Sequence, residues 1–166
     1  FVTEMLGEKE RIWAAVRNTV PYVRRTDLEQ KGITSIWLEF GSGSSKYMII
    51  GAYREFKRLG VNGSRDVSQQ IIRWDKFMDR VQKFVTDTNM ECHLMGDLNL
   101  NTEKWPQLGC RSKNWPYKKM VEALYDKLIN GAGFTLSETE GPTWISIDGS
   151  KSSVLDLHLC NDSSKV

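Results

Sequence analysis

The sequence has no long hydrophobic run and little excess of either charge. No apolar stretch approaches the roughly 20 residues that a membrane helix requires. The segment from Phe1 to Leu6 lacks the basic residues and apolar core of a secretion signal. The net charge of +2 is too small to indicate nucleic-acid binding by itself. We therefore expect neither a membrane-spanning protein nor a strongly basic one.

Cysteines are also too few and too scattered for a disulfide framework. The three, Cys92, Cys110 and Cys160, lack the Cys-x-x-Cys spacing typical of a zinc site. This pattern favours a reducing, intracellular setting. What is present fits one globular domain, since 40% of the 166 residues are hydrophobic and 27% are charged.

The hydrophobic pattern predicts a mixture of strands and helices. Partly alternating apolar residues over 34–40, a turn at 41–45 and an apolar run over 47–53 predict a β-hairpin. Apolar residues recur every three or four positions from Val67 to Val85, which predicts the longest helix, and a second helix is expected over 117–129. Asp148-Gly149 lies between two strand-like runs, 143–146 and 154–159, and predicts another hairpin.

The stretch 91–99 is the most informative part of the chain. Residues 91–97 predict a buried strand, and Asp97 and Asn99 stand two positions apart at its end. Since residues i and i+2 of an extended backbone point to the same face, both side chains should project from the sheet edge together. One can accept a proton and the other can hold an oxygen atom, as hydrolysis requires. The alternative is that Asp97 is an ordinary turn or helix-capping residue.

Three other polar residues stand at or within apolar stretches. Asp156 lies between Leu155 and Leu157, where an unpaired buried carboxylate would be unfavourable, so we expect a buried Asp with a partner. The partner is either a structural hydrogen-bond donor or a catalytic group that the carboxylate orients. Tyr53 ends an apolar strand and Thr143 follows a Gly-Pro pair, so packing and turn formation are their alternatives to a role in a site.

Four motifs follow one another along the chain: Ile50-Gly51-Ala52-Tyr53-Arg54-Glu55, Met95-Gly96-Asp97-Leu98-Asn99, Pro142-Thr143-Trp144 and Ser153-Val154-Leu155-Asp156-Leu157. Their joint order resembles the endonuclease/exonuclease/phosphatase superfamily, and in particular the apurinic-like endonuclease domain of LINE-type (non-LTR) retrotransposons. The resemblance runs through most of the chain and implies a DNase I-like fold, an α/β sandwich of two mixed β-sheets with helices on the outer faces. It also implies Mg²⁺- or Mn²⁺-dependent hydrolysis of DNA, a nuclear location and a reverse transcriptase domain in a longer parent chain.

The resemblance further implies a role for each matching residue. Asp97 would position or deprotonate the attacking water, and Asn99 would hold that water or a phosphate oxygen. Tyr53 would donate a hydrogen bond to the scissile phosphate, and Thr143 would lie near the same phosphate. Asp156 would orient a histidine.

The sequence departs from the superfamily pattern at both ends. Glu4 is the candidate metal ligand, but too few residues follow it for the usual loop and strand. A strand ending in a catalytic Asn would precede Phe1, and a Ser-Asp-His segment with the catalytic histidine is missing. Neither His93 nor His158 matches that histidine by motif, although His158 shares a strand face with Asp156.

Three functions are therefore open. The first is a DNA endonuclease, with residues 1–166 forming a single partial domain whose activity is impaired. The second is a non-catalytic remnant of such a domain, and the third is a phosphatase of the same superfamily. The nuclease hypothesis requires its candidate residues to meet at one end of the packed sheets: Tyr53, Asp97, Asn99, Thr143 and Asp156.

Overall fold

A computed structural model of the protein describes residues 2–5, 12–54, 64–101, 115–137 and 140–161. Its helices are α1 (Ser64–Thr88) and α2 (Trp115–Leu124), and a π-helical segment, Tyr125–Asn130, continues α2. Its strands are β1 (Val2–Met5), β2 (Trp13–Val16), β3 (Tyr22–Arg24), β4 (Thr34–Phe40), β5 (Tyr47–Tyr53), β6 (Glu91–Asp97), β7 (Phe134–Leu136), β8 (Trp144–Ile145), β9 (Ser152–Ser153) and β10 (Asp156–Asn161).

The main sheet has six strands in the order β3-β4-β5-β6-β10-β7. Strands β5 and β6 are parallel and the other neighbours are antiparallel, so the sheet is mixed. Helix α1 supplies the crossover connection that a parallel pair needs. Strands β4 and β5 form the predicted hairpin. A hairpin also forms around Asp148-Gly149, but its second strand is β9, whereas most of the predicted run 154–159 lies in β10 of the main sheet.

Both helices cover one face of the main sheet. The apolar residues of α1 recur at helical spacing and place Trp74, Phe77 and Val81 in the core. They belong to one buried cluster with Trp37 of β4 and Leu94 of β6. Packing of these side chains removes most of the apolar stripe of α1 from water, which is the main source of stability for such a helix.

A second, smaller sheet packs on the opposite face. Strands β1 and β2 are antiparallel, and Val16 of β2 contacts a cluster formed by Ile36, Leu38 and Phe40 of β4. Two sheets face each other with helices outside, so the predicted sandwich is confirmed. The structure adds that α1 and α2 share the outer face of the main sheet. No helix in the described ranges is both long and apolar enough to cross a bilayer.

The two helices are linked by a buried hydrogen bond from the Trp74 indole N–H to the Met120 carbonyl, 2.9 Å long. We predict that Trp74→Phe lowers the free energy of unfolding by about 1–3 kcal/mol, because the carbonyl loses its buried donor. The matched control is Trp13→Phe, at a side chain that is 69% exposed, with an expected change within about 0.5 kcal/mol. Urea unfolding followed by circular dichroism measures both, and equal destabilisation would contradict this role of Trp74.

Candidate active site

Strand register brings the predicted residues to one edge of the main sheet. Asp97 ends β6 and Asp156 begins β10, and the two are direct partners in the antiparallel ladder. Such partners have Cβ atoms about 4.5–5.5 Å apart. Tyr53 ends β5, which runs parallel to β6, so both strands end at the same edge. The structure therefore brings Tyr53, Asp97 and Asp156 together.

A glycine allows β6 to approach β5 closely just before Asp97. Gly96 has φ +135°, a conformation that L side chains rarely adopt, and a Cβ there would collide with the carbonyl oxygen of Ala52. Any larger residue would push the two strands apart at the edge where Asp97 projects. The backbone next to Asp97 therefore requires glycine at position 96.

Asn99 lies in a left-handed turn after β6. Its φ is +50°, which Asn tolerates better than most residues. Its backbone N–H donates to Asp97 Oδ1 at 2.9 Å, and its side-chain amide donates to the Arg54 carbonyl at 2.7 Å. These bonds fix Asp97 and Asn99 relative to each other and to the end of β5.

Arg54 is the residue of this site that sequence reasoning missed. Its side chain is buried, and it donates to the Leu98 and Asn99 carbonyls, each at 2.6 Å. Its backbone N–H donates to the Asp97 carbonyl at 3.0 Å. Burial lowers the pKa of Arg54 to about 10, so the guanidinium stays charged at neutral pH. The available signal was an Arg directly after an apolar strand and next to the tyrosine motif.

Thr143 holds the start of β10. Its Oγ1 accepts hydrogen bonds from the backbone N–H groups of Leu155 and Asp156, at 2.9 and 3.0 Å. The side chain is exposed, and the hydroxyl can still donate its own proton. Thr143 therefore joins the same edge as Asp97 through the strand that carries Asp156.

Asp156 itself corrects an expectation from the sequence. It is exposed, so the prediction of a buried Asp is wrong. Leu157 points into the helix-covered core, whereas Asp156 points to the opposite face, because neighbouring residues of a strand alternate between faces. Leu155 precedes the strand and gives Asp156 no apolar cover within it.

Two other predicted residues have different surroundings. His158 shares the Asp156 face, but its ring nitrogens contact His93 Nδ1 at 3.0 Å and Ser137 Oγ at 2.9 Å. It is thus engaged farther along the strand rather than oriented by Asp156. Glu4 lies in β1 opposite Ala14, and its side chain is outside the described part of the chain.

The carboxylate pair is electrostatically unfavourable by itself. Burial raises the pKa of Asp97 above its ordinary value, and nearby Asp156 raises it further, against the lowering effects of the Asn99 N–H and the Arg54 charge. A cation between the two carboxylates would remove this repulsion. Carboxylate and amide oxygens are the ligands that Mg²⁺ prefers, so Asp97, Asp156 and Asn99 fit such an ion by their chemistry.

Comparison with known proteins supports the architecture. No protein-family model and no curated protein sequence matches the chain. Among solved structures, the chain is similar to the endonuclease domain of TRAS1, a telomere-specific non-LTR retrotransposon, with a TM-score of 0.65 and 14% identity over 97% of this chain and 67% of that one. The chain has a DNase I-like fold.

Weaker likenesses exist to a Staphylococcus aureus beta toxin and to sphingomyelinase C from Streptomyces griseocarneus. Their TM-scores are 0.43 and 0.41 at 14% and 12% identity, and the alignments cover 79% and 78% of this chain but 44% and 42% of theirs. The DNase I-like fold thus rests on the retrotransposon domain and on the sheet topology.

The raised pKa of Asp97 should make the free energy of unfolding depend on pH. An Asp whose pKa is raised by folding stabilises the folded state most below its unfolded pKa, and loses that contribution as pH rises through the folded value. We predict that Asp97→Asn stabilises the metal-free chain at pH 7 and that this gain shrinks towards pH 3. Urea unfolding with a chelator at several pH values measures the difference between wild type and variant.

The control is Asp87→Asn, because Asp87 is an exposed residue of α1 that pairs with Lys83 at 3.4 Å. Its replacement should give no comparable gain at pH 7. A wild type that is more stable than Asp97→Asn at pH 7 without metal would contradict the electrostatic account.

Proposed function

We propose that this chain carries a phosphodiesterase site that hydrolyses DNA with Mg²⁺ or Mn²⁺. The observation that carries the proposal is the pairing of Asp97 with Asp156 at the edge where β5 and β6 end, in the fold of a retrotransposon endonuclease domain. The proposed participants are the five residues of that edge: Tyr53, Asp97, Asn99, Thr143 and Asp156.

Hydrolysis of a phosphodiester needs a base for the attacking water and donors for the charge that develops on phosphate oxygens. Asp97 is suited to the first task, because it lies at the edge where β6 ends and the Asn99 N–H fixes one of its carboxylate oxygens. The hydroxyl groups of Tyr53 and Thr143 can donate to phosphate oxygens. Asn99, fixed through Arg54, can hold the water or a phosphate oxygen.

A bound Mg²⁺ would supply charge stabilisation for the phosphate during attack. Asp97, Asp156 and Asn99 are the described residues whose oxygen chemistry fits the ion, and Glu4 is a further candidate from the sequence. Before the ion binds, Arg54 keeps Asp97 in place by holding the carbonyls of Leu98 and Asn99.

Exposed apolar side chains beside the site favour DNA over a small phosphate ester. Trp144 and Ile145 of β8 are exposed, and Ile147 in the β8–β9 turn is fully exposed. This turn is well held, since Asp148 Oδ1 accepts from Ser146 Oγ at 2.6 Å and from Ser150 Oγ at 2.8 Å, which lowers the pKa of Asp148 to about 2. Exposed apolar side chains on a rigid turn are suited to insertion into the minor groove of DNA or to stacking on unpaired bases.

The second candidate function is a non-catalytic DNA-binding domain with the same fold. One observation favours it: the sequence has two histidines, His93 and His158, which contact each other, and the second ring nitrogen of His158 contacts Ser137 Oγ. Hydrolysis by this chain alone should therefore be slow. A nuclear location and a reverse transcriptase domain in a longer parent chain remain part of the proposal, and the described residues offer no feature that favours a phosphatase.

We predict that the purified chain nicks supercoiled plasmid slowly with Mg²⁺ and that Asp97→Asn reduces the rate by about 100-fold or to background, since the general base is lost. Gel electrophoresis with enzyme in excess measures the rate. The control Asp87→Asn should nick as wild type does.

In parallel, Mg²⁺ should raise the melting temperature of wild type and have little effect on that of Asp97→Asn.

The outcomes separate the two candidates. Nicking that survives Asp97→Asn would overturn the proposed active site. A Mg²⁺-dependent thermal shift without nicking would select the non-catalytic domain. If the wild type shows no nicking and no Mg²⁺-dependent thermal shift, there is no metal site at this edge.

We also predict that Ile147→Ser weakens binding to a duplex oligonucleotide about fivefold, which corresponds to about 1 kcal/mol, without changing the melting temperature. Fluorescence anisotropy with Ca²⁺ in place of Mg²⁺ measures the affinity while limiting cleavage. Ile72→Ser is the matched control, because Ile72 is an exposed isoleucine on α1. Equal affinities for the two variants would exclude the β8–β9 turn from DNA binding.

A further inference from the structure

A second group of reactive side chains lies on the helix-free face of the main sheet. Glu91 and His93 are two residues apart on β6 and so share a face, and Cys160 of β10 is the direct ladder partner of His93. His93 is four residues from Asp97 along the same strand, or about 13 Å. The group is therefore separate from the carboxylate pair at the sheet edge.

The three ligand atoms are close enough to share one ion. His93 Nε2 lies 3.0 Å from Glu91 Oε1 and 3.9 Å from Cys160 Sγ, and all three atoms lie within 4.8 Å of one another. Bonds of about 2.0–2.3 Å in a tetrahedral arrangement separate neighbouring ligand atoms by roughly 3.3–3.8 Å. Small side-chain rotations suffice to reach that geometry on strands that are already paired.

A chain of hydrogen bonds orients the histidine. His93 Nδ1 contacts His158 Nε2 at 3.0 Å, and His158 Nδ1 contacts Ser137 Oγ at 2.9 Å. The two imidazole rings are stacked, with centroids 5.3 Å apart. Because Nδ1 is engaged, the other nitrogen, Nε2, is the one directed at Glu91 and Cys160. Metal-binding histidines are commonly fixed in this way by a partner on their second nitrogen.

Solvent access and donor type indicate which ion would bind. His93 and Cys160 are half-buried and Glu91 is exposed, so the group is open to solvent on one side. Thiolate and imidazole are ligands of borderline and soft transition metals, whereas Mg²⁺ prefers oxygen. We propose that Glu91, His93 and Cys160 form a binding site for Zn²⁺, or a transition-metal ion of similar softness, with a fourth position open to water or another ligand.

The experiment is a Co²⁺ titration of the reduced, metal-free chain followed by absorption spectroscopy. Wild type should show a thiolate-to-cobalt charge-transfer band with the visible bands of tetrahedral Co²⁺, and Zn²⁺ should displace the cobalt. Cys160→Ala should lose the charge-transfer band, and Glu91→Gln should weaken it. His158→Gln should lower the affinity by about 10–100-fold, as expected for a residue that positions a ligand.

The matched control is the double variant Cys92→Ala, Cys110→Ala. Cys92 is fully buried on the helix-covered face, and Cys110 lies outside the described residues. The double variant should keep the wild-type spectrum. Absence of the band in wild type, or its persistence in Cys160→Ala, would overturn the proposal and leave Glu91, His93 and His158 as a hydrogen-bonded ladder. If Cys160→Ala fails to fold by circular dichroism, an unchanged cobalt affinity in folded Glu91→Gln would overturn it instead.

Discussion

The buried guanidinium of Arg54 ties the ends of β5 and β6 into one unit. It donates to two successive carbonyls, those of Leu98 and Asn99, and the Asn99 amide returns a hydrogen bond to the Arg54 carbonyl. A buried charge is unfavourable unless its donors are satisfied. Here its acceptors belong to the turn that follows Asp97, so the same bonds that keep the charge buried also define that turn. The position of Asp97 is therefore set by the interior of the protein.

This arrangement holds the Asp97 carboxylate on the strand position directly opposite Asp156. Asp97 cannot move away from Asp156, because Gly96 and Arg54 fix its backbone against β5. Burial, with a smaller contribution from Asp156, raises the pKa of Asp97 in the folded state, so the charged carboxylate is unfavourable there. Local arrangements that oppose stability are typical of functional sites rather than of structural ones. This is a physical reason to regard the edge as a site for a cation or a proton, beyond its likeness to a nuclease motif.

Patterns local in sequence predicted much of the fold. The spacing of apolar residues located α1, and the run before Asp97 located β6, because each element buries one periodic face. The i, i+2 argument assumed an extended backbone through Asn99, but β6 ends at Asp97 and Asn99 lies in a left-handed turn. The two residues are close because the Asn99 N–H donates to Asp97 Oδ1. The role of Arg54 depends on contacts with residues more than 40 positions away, which no local pattern contains.

Asp156 shows why flanking residues are a poor guide to burial. Leucines on both sides suggested a buried carboxylate, but neighbours in a strand point to opposite faces. The chain also changes partner between β9, which pairs with β8, and β10, which joins the main sheet. The single predicted strand over 154–159 is therefore a short β10 that begins at Asp156, and its first side chain lies at the sheet edge. Which face is covered depends on the packing of whole layers.

One register explains both groups of reactive side chains. The pairing that puts Asp156 opposite Asp97 also puts Cys160 opposite His93, because both pairs belong to the same β6–β10 ladder. The two pairs are separated by four residues along each strand, from His93 to Asp97 on β6 and from Asp156 to Cys160 on β10. Four is an even number, so all four side chains emerge on the helix-free face. A shift of one residue would turn the β10 side chains to the other face and dissolve both groups together. Leu157 and Leu159 prevent that shift, since they are buried among the core residues under the helices and would be exposed by it. Apolar residues with no chemistry of their own thus determine where the acidic, imidazole and thiol groups of this protein meet.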